Sequence, residues 1–110
     1  MATKPKRGEV GWINFDPSRG SEIKKTRPAV VVSNNVANKY LDGFQVVPIT
    51  SNTNRLYPGE SQVEITKKPG KAATNQIATV SIKRFSKKIC VLTTIEQAEL
   101  NEALKIQLGL

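Results

Sequence analysis

The chain has 110 residues, a length that suits one compact domain. Its 17 lysine and arginine residues against nine acidic residues give a formal charge of +8, which favours polyanionic partners, nucleic acid first, although a basic surface can also serve solubility alone. Histidine is absent and there is one cysteine, so an internal disulfide is excluded and a transition-metal site is not expected. No apolar run has the length of a membrane span and no signal region follows the basic start, so we expect a cytoplasmic protein.

The first third of the chain predicts two strands joined by a loop. We expect residues 1–7 to be a loose basic segment and residues 8–110 to form a single domain. Gly8 to Phe15 alternates in a stretch rich in aromatic and branched residues, which predicts a strand. Asp16 to Thr26 holds proline, glycine and serines without an apolar period and predicts a loop. Pro28 to Val32 is a continuous branched run, typical of a central strand with both faces buried.

The middle of the chain predicts two further strands and a turn. Phe44 to Ile49 predicts a strand, and its Pro48 lacks an amide hydrogen, which indicates an edge or strand-end position. Gln62 to Thr66 alternates as a strand does. The following residues, Lys67 to Gly70, carry turn chemistry.

The last part predicts two strands and one helix. The strands are expected at Ile77 to Ile82 and at Lys88 to Leu92, with Cys90 in the core. Short strands separated by turns favour a mainly β fold, a small closed or half-closed barrel. The final segment changes to helical spacing, carried by Leu100, Ala103, Leu104 and Leu108. Thr94 with Gln97 resembles a capping box, so one helix should close the chain.

The loop between the first two strands is the first segment that could carry chemistry. Arginine suits phosphate because its planar guanidinium donates two parallel hydrogen bonds. Arg27 stands where a buried strand begins, beside Pro28, which fixes the backbone. The other candidate binding residues of this loop are Arg19, Ser21, Glu22, Lys24 and Lys25. The alternative is a solvated loop with ordinary surface charge.

Two more polar groups stand at strand ends. Thr50 and Ser51 close one strand with hydroxyl groups that can donate to phosphate or ribose, although a plain strand cap has the same composition. Gln76 opens another strand with an amide that can read a base edge, and basic residues follow it. Without histidine, any catalysis would rest on positioned charges, hydroxyls, carboxylates and backbone groups.

Together these segments resemble the MazF/PemK family of toxin ribonucleases from toxin-antitoxin modules. The motifs that carry the resemblance are Arg7 to Val10, Asp16 to Glu22, Thr26 to Ser33, Val47 to Ser51, Gln76-Ile77, Glu102 to Lys105 and Leu108 to Leu110. They cover nearly the whole chain in the order of the family. The sequence departs from the family pattern at Gly11, where a second bulky residue is usual, and at Asn75 and Ala78, where an acid and an arginine are usual.

The resemblance implies an SH3-like barrel of the CcdB/MazF type with a C-terminal helix. It also implies a homodimer whose groove takes single-stranded RNA, and a cognate antitoxin with an acidic tail that competes for that groove. Arg27 and Thr50 would flank the cut phosphodiester, the loop at Ser21 and Glu22 would lie over the substrate, and Gln76 would lie near the bases.

The expected function is a sequence-selective endoribonuclease toxin that cuts messenger RNA without metal or other cofactor. The ribose 2′-hydroxyl would attack the neighbouring phosphorus, with Glu22 as the candidate general base. Two other functions stay open. One is a toxin of the same fold that poisons a protein target such as gyrase, and the other is a non-catalytic RNA-binding module.

Overall fold

The computed structural model describes residues 4–15, 25–53 and 56–110, and the following elements lie in those ranges. The strands are β1 (Glu9–Asn14), β2 (Thr26–Val31), β3 (Gly43–Thr50), β4 (Ser61–Ile65), β5 (Lys68–Ala72), β6 (Ala78–Ser81) and β7 (Phe85–Val91). The helices are α1 (Asn35–Tyr40) and α2 (Thr94–Leu108), and short 3₁₀ turns at Thr74–Gln76 and Ile82–Arg84 flank β6. The prediction of a mainly β fold that ends in a helix is confirmed.

The strands form a curled antiparallel sheet, a half-barrel, in the order β4-β5-β3-β2-β1-β7, with β6 paired to the first half of β3. Because alternate side chains point to opposite faces, the sheet supports two separate apolar clusters. One lies under α2 and includes Val30, Val47 and Leu104. The other, on the opposite face, is centred on Phe44. The central position predicted for β2 is confirmed, since it lies between β1 and β3.

Of the two positions predicted for Pro48, the edge position is wrong, because β3 is an interior strand and Pro48 is fully buried. Pro48 does lie near the end of β3, two residues before Thr50. Its carbonyl accepts a hydrogen bond from Ala73 at 2.9 Å, on the side of β3 where the partner changes. β6 pairs with β3 as far as Val46 and β5 begins at Ile49. The amide and carbonyl groups of one strand residue point to the same side of the strand. The missing amide hydrogen of Pro48 therefore lies where β3 changes its partner from β6 to β5.

The turn expected over Lys67 to Gly70 is shorter and lies earlier. Thr66 and Lys67 alone form it, with φ of 50° and 68°, the left-handed backbone that a two-residue hairpin turn requires. Lys68 already pairs with Ile65, so three of the residues predicted as a turn, Lys68 to Gly70, are the start of β5. Pro69 fits this strand because pairing to β3 begins only at Lys71.

The helices differ from the prediction in number and in start. α1 was not predicted; it begins after Asn34, whose side chain accepts a hydrogen bond from the Ala37 amide at 2.8 Å. α2 is capped by Thr93 with Glu96, one residue before the predicted Thr94 and Gln97 pair. Within the described residues, none of the helices combines the length and apolar character that crossing a membrane requires.

Two smaller features of β1 and β7 have clear causes. Gly11 approaches the Phe85 ring so closely that a Cβ would lie 2.3 Å from its Cζ atom, which explains why a bulky side chain is absent there. Cys90 is half-buried at the margin of the cluster under α2, so it packs against the core without lying inside it. Burial, and then the carboxylate of Glu96, raise the pKa of its thiol.

The basic start of the chain is in contact with the domain from Lys4 onward. The Lys4 ammonium donates to the Leu41 carbonyl at 3.0 Å, just after α1. The Arg7 guanidinium donates to the Val32 carbonyl and, at 2.7 Å, to the side-chain oxygen of Asn101 on α2. These contacts join the start of the chain to both helices.

Candidate active site

Arg27 and Thr50 lie at the same end of two paired strands. Arg27 is the second residue of β2 and Thr50 is the last residue of β3. The register pairs Ala29 with Pro48, and two more residues along each antiparallel strand bring Arg27 opposite Thr50. Neighbouring strands are about 4.8 Å apart and paired residues share a face of the sheet. The fold therefore brings these two residues together from separate segments of the chain.

Both residues line one pocket of about 280 Å³, which we call the Trp12 pocket. Its lining comes from β1, β2, β3, β7 and the hairpin of β4 and β5, and consists of Trp12, Arg27, Pro28, Ile49, Thr50, Ser51, Ile65, Thr66, Lys68, Pro69, Gly70 and Ile89. Arg27 and Thr50 are half-buried in it, whereas Ser51 is exposed. The sequence marked Arg27, Thr50 and Ser51, but it held no local signal for the other lining residues, because six strands contribute to the pocket.

The hydroxyl of Thr50 is unusual in its surroundings. Its oxygen is buried, and among the described residues it has no hydrogen-bond partner. Leaving a buried hydroxyl unpaired costs about 1–3 kcal/mol, so native proteins seldom tolerate it without a reason. A bound group with its own acceptor or donor would satisfy this oxygen.

The remaining predicted site residues are placed differently. Lys25 is exposed with φ of 66°, and its carbonyl accepts a hydrogen bond from the Phe15 amide at 3.0 Å, which closes the base of the loop between β1 and β2. Gln76 is half-buried in a 3₁₀ turn and is not among the residues that line the Trp12 pocket. Arg19, Ser21, Glu22 and Lys24 lie outside the described residues.

A buried ion pair borders the site on the side of β5. Lys71 is the ladder partner of Thr50, and its ammonium lies 3.1 Å from Glu60, with side-chain exposures of 11% and 12%. The same carboxylate oxygen accepts from the Tyr57 amide at 2.8 Å, and the ammonium lies 5.4 Å from the centroid of the Tyr57 ring. These contacts hold residues 57–60, which precede β4, against Lys71 of β5 beside the candidate site.

Comparisons with known proteins identify the family of the chain. The family described as PemK-like, MazF-like toxin of type II toxin-antitoxin system matches residues 6–108. Endoribonuclease MazF9 of Mycobacterium tuberculosis is 38% identical over 114 residues, which cover 96% of this chain and 97% of that protein. Endoribonuclease MazF of Staphylococcus epidermidis is 34% identical over 111 residues, which cover 96% of this chain and 92% of that protein.

Solved structures show the same architecture. The crystal structure of MazF (Form-I) from Deinococcus radiodurans matches with a TM-score of 0.87 and 25% identity, over 99% of this chain and 100% of that one. A mycobacterial endoribonuclease in complex with its cognate antitoxin matches with a TM-score of 0.81 and 23% identity, over 96% of both chains. Because the family matches nearly the whole chain and two relatives exceed 30% identity, the protein belongs to the PemK/MazF family of type II toxin-antitoxin toxins.

Proposed function

We propose that this endoribonuclease toxin cuts single-stranded RNA, messenger RNA in particular, at selected sequences and without a metal ion, and that Arg27 and Thr50 act on the cut linkage. The observation that carries the proposal is that a guanidinium-bearing and a hydroxyl-bearing residue, remote in sequence, line one pocket. The endoribonuclease relatives support the reaction class. The charge of +8 suits a polyanionic substrate.

The proposed reaction uses the nucleophile that RNA already carries. The ribose 2′-hydroxyl loses its proton and attacks the adjacent phosphorus, and the bond from phosphorus to the 5′-oxygen breaks. The products are a 2′,3′-cyclic phosphate and a 5′-hydroxyl, whose oxygen takes up a proton. The protein then has only to orient the linkage and stabilise the charge that grows on the phosphoryl oxygens.

The residues would divide this work by their chemistry. Arg27 would donate two hydrogen bonds to the non-bridging oxygens, since its planar fork matches them. Thr50 would donate one more, which would give its buried oxygen the partner that it otherwise lacks. Glu22 is the proposed general base. Binding of the flanking nucleotides would fall to Arg19, Ser21, Lys24, Lys25, Ser51 and Gln76.

The proposal extends to partners and location. One solved neighbour is an endoribonuclease in complex with its cognate antitoxin, and we expect this toxin to have an antitoxin with an acidic tail, because such a tail complements a basic groove. We expect the active form to be a homodimer and the place of action to be the cytoplasm. A domain of this size buries a modest core, and a partner subunit would add to it.

The decisive experiment sequences the 5′-hydroxyl ends that the purified protein generates from a mixed RNA pool, with EDTA present. We expect discrete cut sites in EDTA. Arg27→Ala should slow cleavage about 100-fold or more while the protein remains folded. Lys105→Ala, which removes an equal charge from the exposed side of α2, is the matched control and should cut as the parent does. Equal cleavage by Arg27→Ala would refute the catalytic assignment.

A DNA oligonucleotide of the same sequence separates binding from chemistry. It lacks the 2′-hydroxyl and should bind without being cut. Salt-dependent RNA binding with no new 5′-hydroxyl ends would identify a non-catalytic RNA-binding module instead. Inhibition of gyrase by a protein that neither binds nor cuts RNA would identify a toxin with a protein target.

A further inference from the structure

The Trp12 pocket contains much more apolar surface than a phosphodiester needs. Trp12 keeps 40% of its surface exposed, although it is the one tryptophan of the chain and belongs to an interior strand. In the register of the sheet Trp12 pairs with Pro28, so that the two side chains lie next to each other on one face. Trp12 shares its pocket with Ile49, Ile65 and Ile89, and an exposed apolar patch of this kind indicates a surface that a ligand covers.

The walls of the pocket are fixed by the core before any ligand arrives. Ile49 belongs to the cluster under α2, and Ile65 and Ile89 pack against that cluster. Gly70 lets β5 approach β3 closely, because a Cβ there would lie 2.9 Å from a methyl group of Ile49 and 3.1 Å from the Thr50 carbonyl. The pocket is therefore preformed, as sites for small planar groups usually are.

The size and chemistry of the pocket select its occupant. Pockets for drug-sized ligands measure about 300 to 1,000 Å³, so a volume of about 280 Å³ has room for a small ligand such as a single ring system. An indole and three isoleucines offer apolar contact, and Thr66 and Lys68 add polar groups to the lining. A nucleobase has the same division, with two apolar faces and a polar edge, and unpaired bases stack on aromatic side chains in this way.

We propose that the Trp12 pocket binds the base of one nucleotide flanking the cut linkage, with the indole of Trp12 as the stacking surface. Arg27 and Thr50 line the same pocket, so a phosphodiester held by them would place a neighbouring base at the indole. The inference rests on the proposed function and adds the part of the substrate that is read beside the phosphate. Trp12 is thereby a substrate-binding residue that sequence motifs do not reveal.

The test is a double-mutant cycle in which one change is made in the protein and the other in the RNA substrate, and kcat/KM is compared. Single-stranded RNAs of one cleavable sequence are prepared with one abasic nucleotide at each position around the cut. For the parent protein, removing the stacked base should lower kcat/KM by roughly 5- to 150-fold, the range of base stacking on aromatic side chains. Trp12→Leu should lose a similar factor on intact RNA, and the abasic position should then cost little more. Trp12→Phe should retain most of the activity.

A second measurement needs no altered protein, because the chain has a single tryptophan. A non-cleavable RNA with a deoxyribose at the cut should quench the fluorescence of Trp12. The same RNA without the stacked base should leave that fluorescence nearly unchanged at saturation. Thermal unfolding of Trp12→Leu checks that its kinetic loss does not come from misfolding.

The outcomes separate the two proposals. If the parent protein cuts no RNA, the proposed function fails and this inference fails with it. If the parent cuts but the losses from Trp12→Leu and from base removal multiply, or if binding at saturation leaves the fluorescence unchanged, only the stacking role is refuted. Tyr40→Leu is the matched control, since Tyr40 is an aromatic side chain of α1 that is 72% exposed and lies outside the pocket. It should alter neither kcat/KM nor the effect of base removal.

Discussion

At the scale of single residues, the buried hydroxyl of Thr50 has no evident role in stabilising the described part of the fold. Its hydroxyl oxygen is buried, and within the described part of the chain it forms no hydrogen bond. Such a group contributes nothing favourable to folding, since its hydration is lost and not replaced. A contribution to catalysis would explain why the hydroxyl is retained.

Thr50→Val tests this directly, because valine keeps the branched shape and removes the hydroxyl. We expect RNA cleavage to fall about 100-fold, as for the loss of one positioned donor. The free energy of unfolding should stay the same or rise by about 1 kcal/mol, because a buried unpaired group is removed. Cleavage assays and urea denaturation measure the two effects. Thr50→Ser should retain activity, and unchanged cleavage by Thr50→Val would exclude the hydroxyl from the reaction.

At the scale of elements, the start of α2 is tied to the sheet through Glu96. One of its carboxylate oxygens accepts from the Thr93 amide at 2.9 Å and the other from the Glu64 amide of β4 at 2.7 Å. Burial by itself would raise the pKa of Glu96, but the hydrogen bonds from the Thr93 and Glu64 amides and from the Thr93 side chain outweigh it and lower the pKa below 4.5. The ionised form is therefore favoured by folding.

The sign of this shift gives a pH-dependent prediction. Because the pKa of Glu96 is lower in the folded state, its ionised carboxylate stabilises the fold at pH values above the ordinary pKa of 4.5. This stabilisation is lost as the pH falls through the pKa of the folded state. Glu96→Gln keeps an acceptor oxygen but removes the charge near the start of α2, so it should lower the free energy of unfolding by about 0.5 kcal/mol at pH 7, and the difference from the parent should shrink towards pH 3. Urea denaturation at both pH values measures it. Glu99→Gln, on the exposed side of the same helix, is the control. A difference that grows on acidification would contradict the assignment.

The ion pair of Lys71 and Glu60 is an element-scale tie of a different kind. Lys71→Met would leave the Glu60 carboxylate buried without its cation, so the free energy of unfolding should fall by about 3 kcal/mol. The exposed pair of Lys105 and Glu102 provides the comparison, with side-chain exposures of 58% and 71%. Lys105→Met should change stability by less than about 0.5 kcal/mol. Equal effects of the two substitutions in urea denaturation would show that the buried pair is not a stabilising tie.

At the scale of the whole molecule, the formal charge of +8 should govern how RNA-like strands bind. Binding of an uncut DNA oligonucleotide should weaken as salt rises, with a slope of about −0.7 for each phosphate that is contacted. Arg27→Ala should reduce that slope by about one contact, whereas Lys105→Ala should leave it unchanged. Fluorescence anisotropy over a series of salt concentrations measures the slopes. Equal slopes for parent and Arg27→Ala would mean that Arg27 does not hold a phosphate.

The sequence predicted those features that have local causes. Alternation and branched residues predicted β1, β2, β3 and β4, and helical spacing predicted α2, because burial on one face imposes the period of the element. Features set by a neighbouring strand were misread. Pro48 is tolerated inside the sheet because β3 changes its pairing partner from β6 to β5 there. The start of β5 was predicted as a turn because Lys67 to Gly70 carry turn chemistry, whereas the turn itself is formed by Thr66 and Lys67 without glycine.

By itself the sequence determined the family, the order of β1 to β4, β6, β7 and α2, and the candidate pair of Arg27 and Thr50, since these depend on residue types and short spacings. Only the tertiary structure decided that the two residues line one pocket at the same end of β2 and β3, because strand register is a property of the paired chain and not of either strand. It also decided that Trp12 shares their pocket. That pocket is assembled from six strands, and no segment of the sequence contains more than part of it.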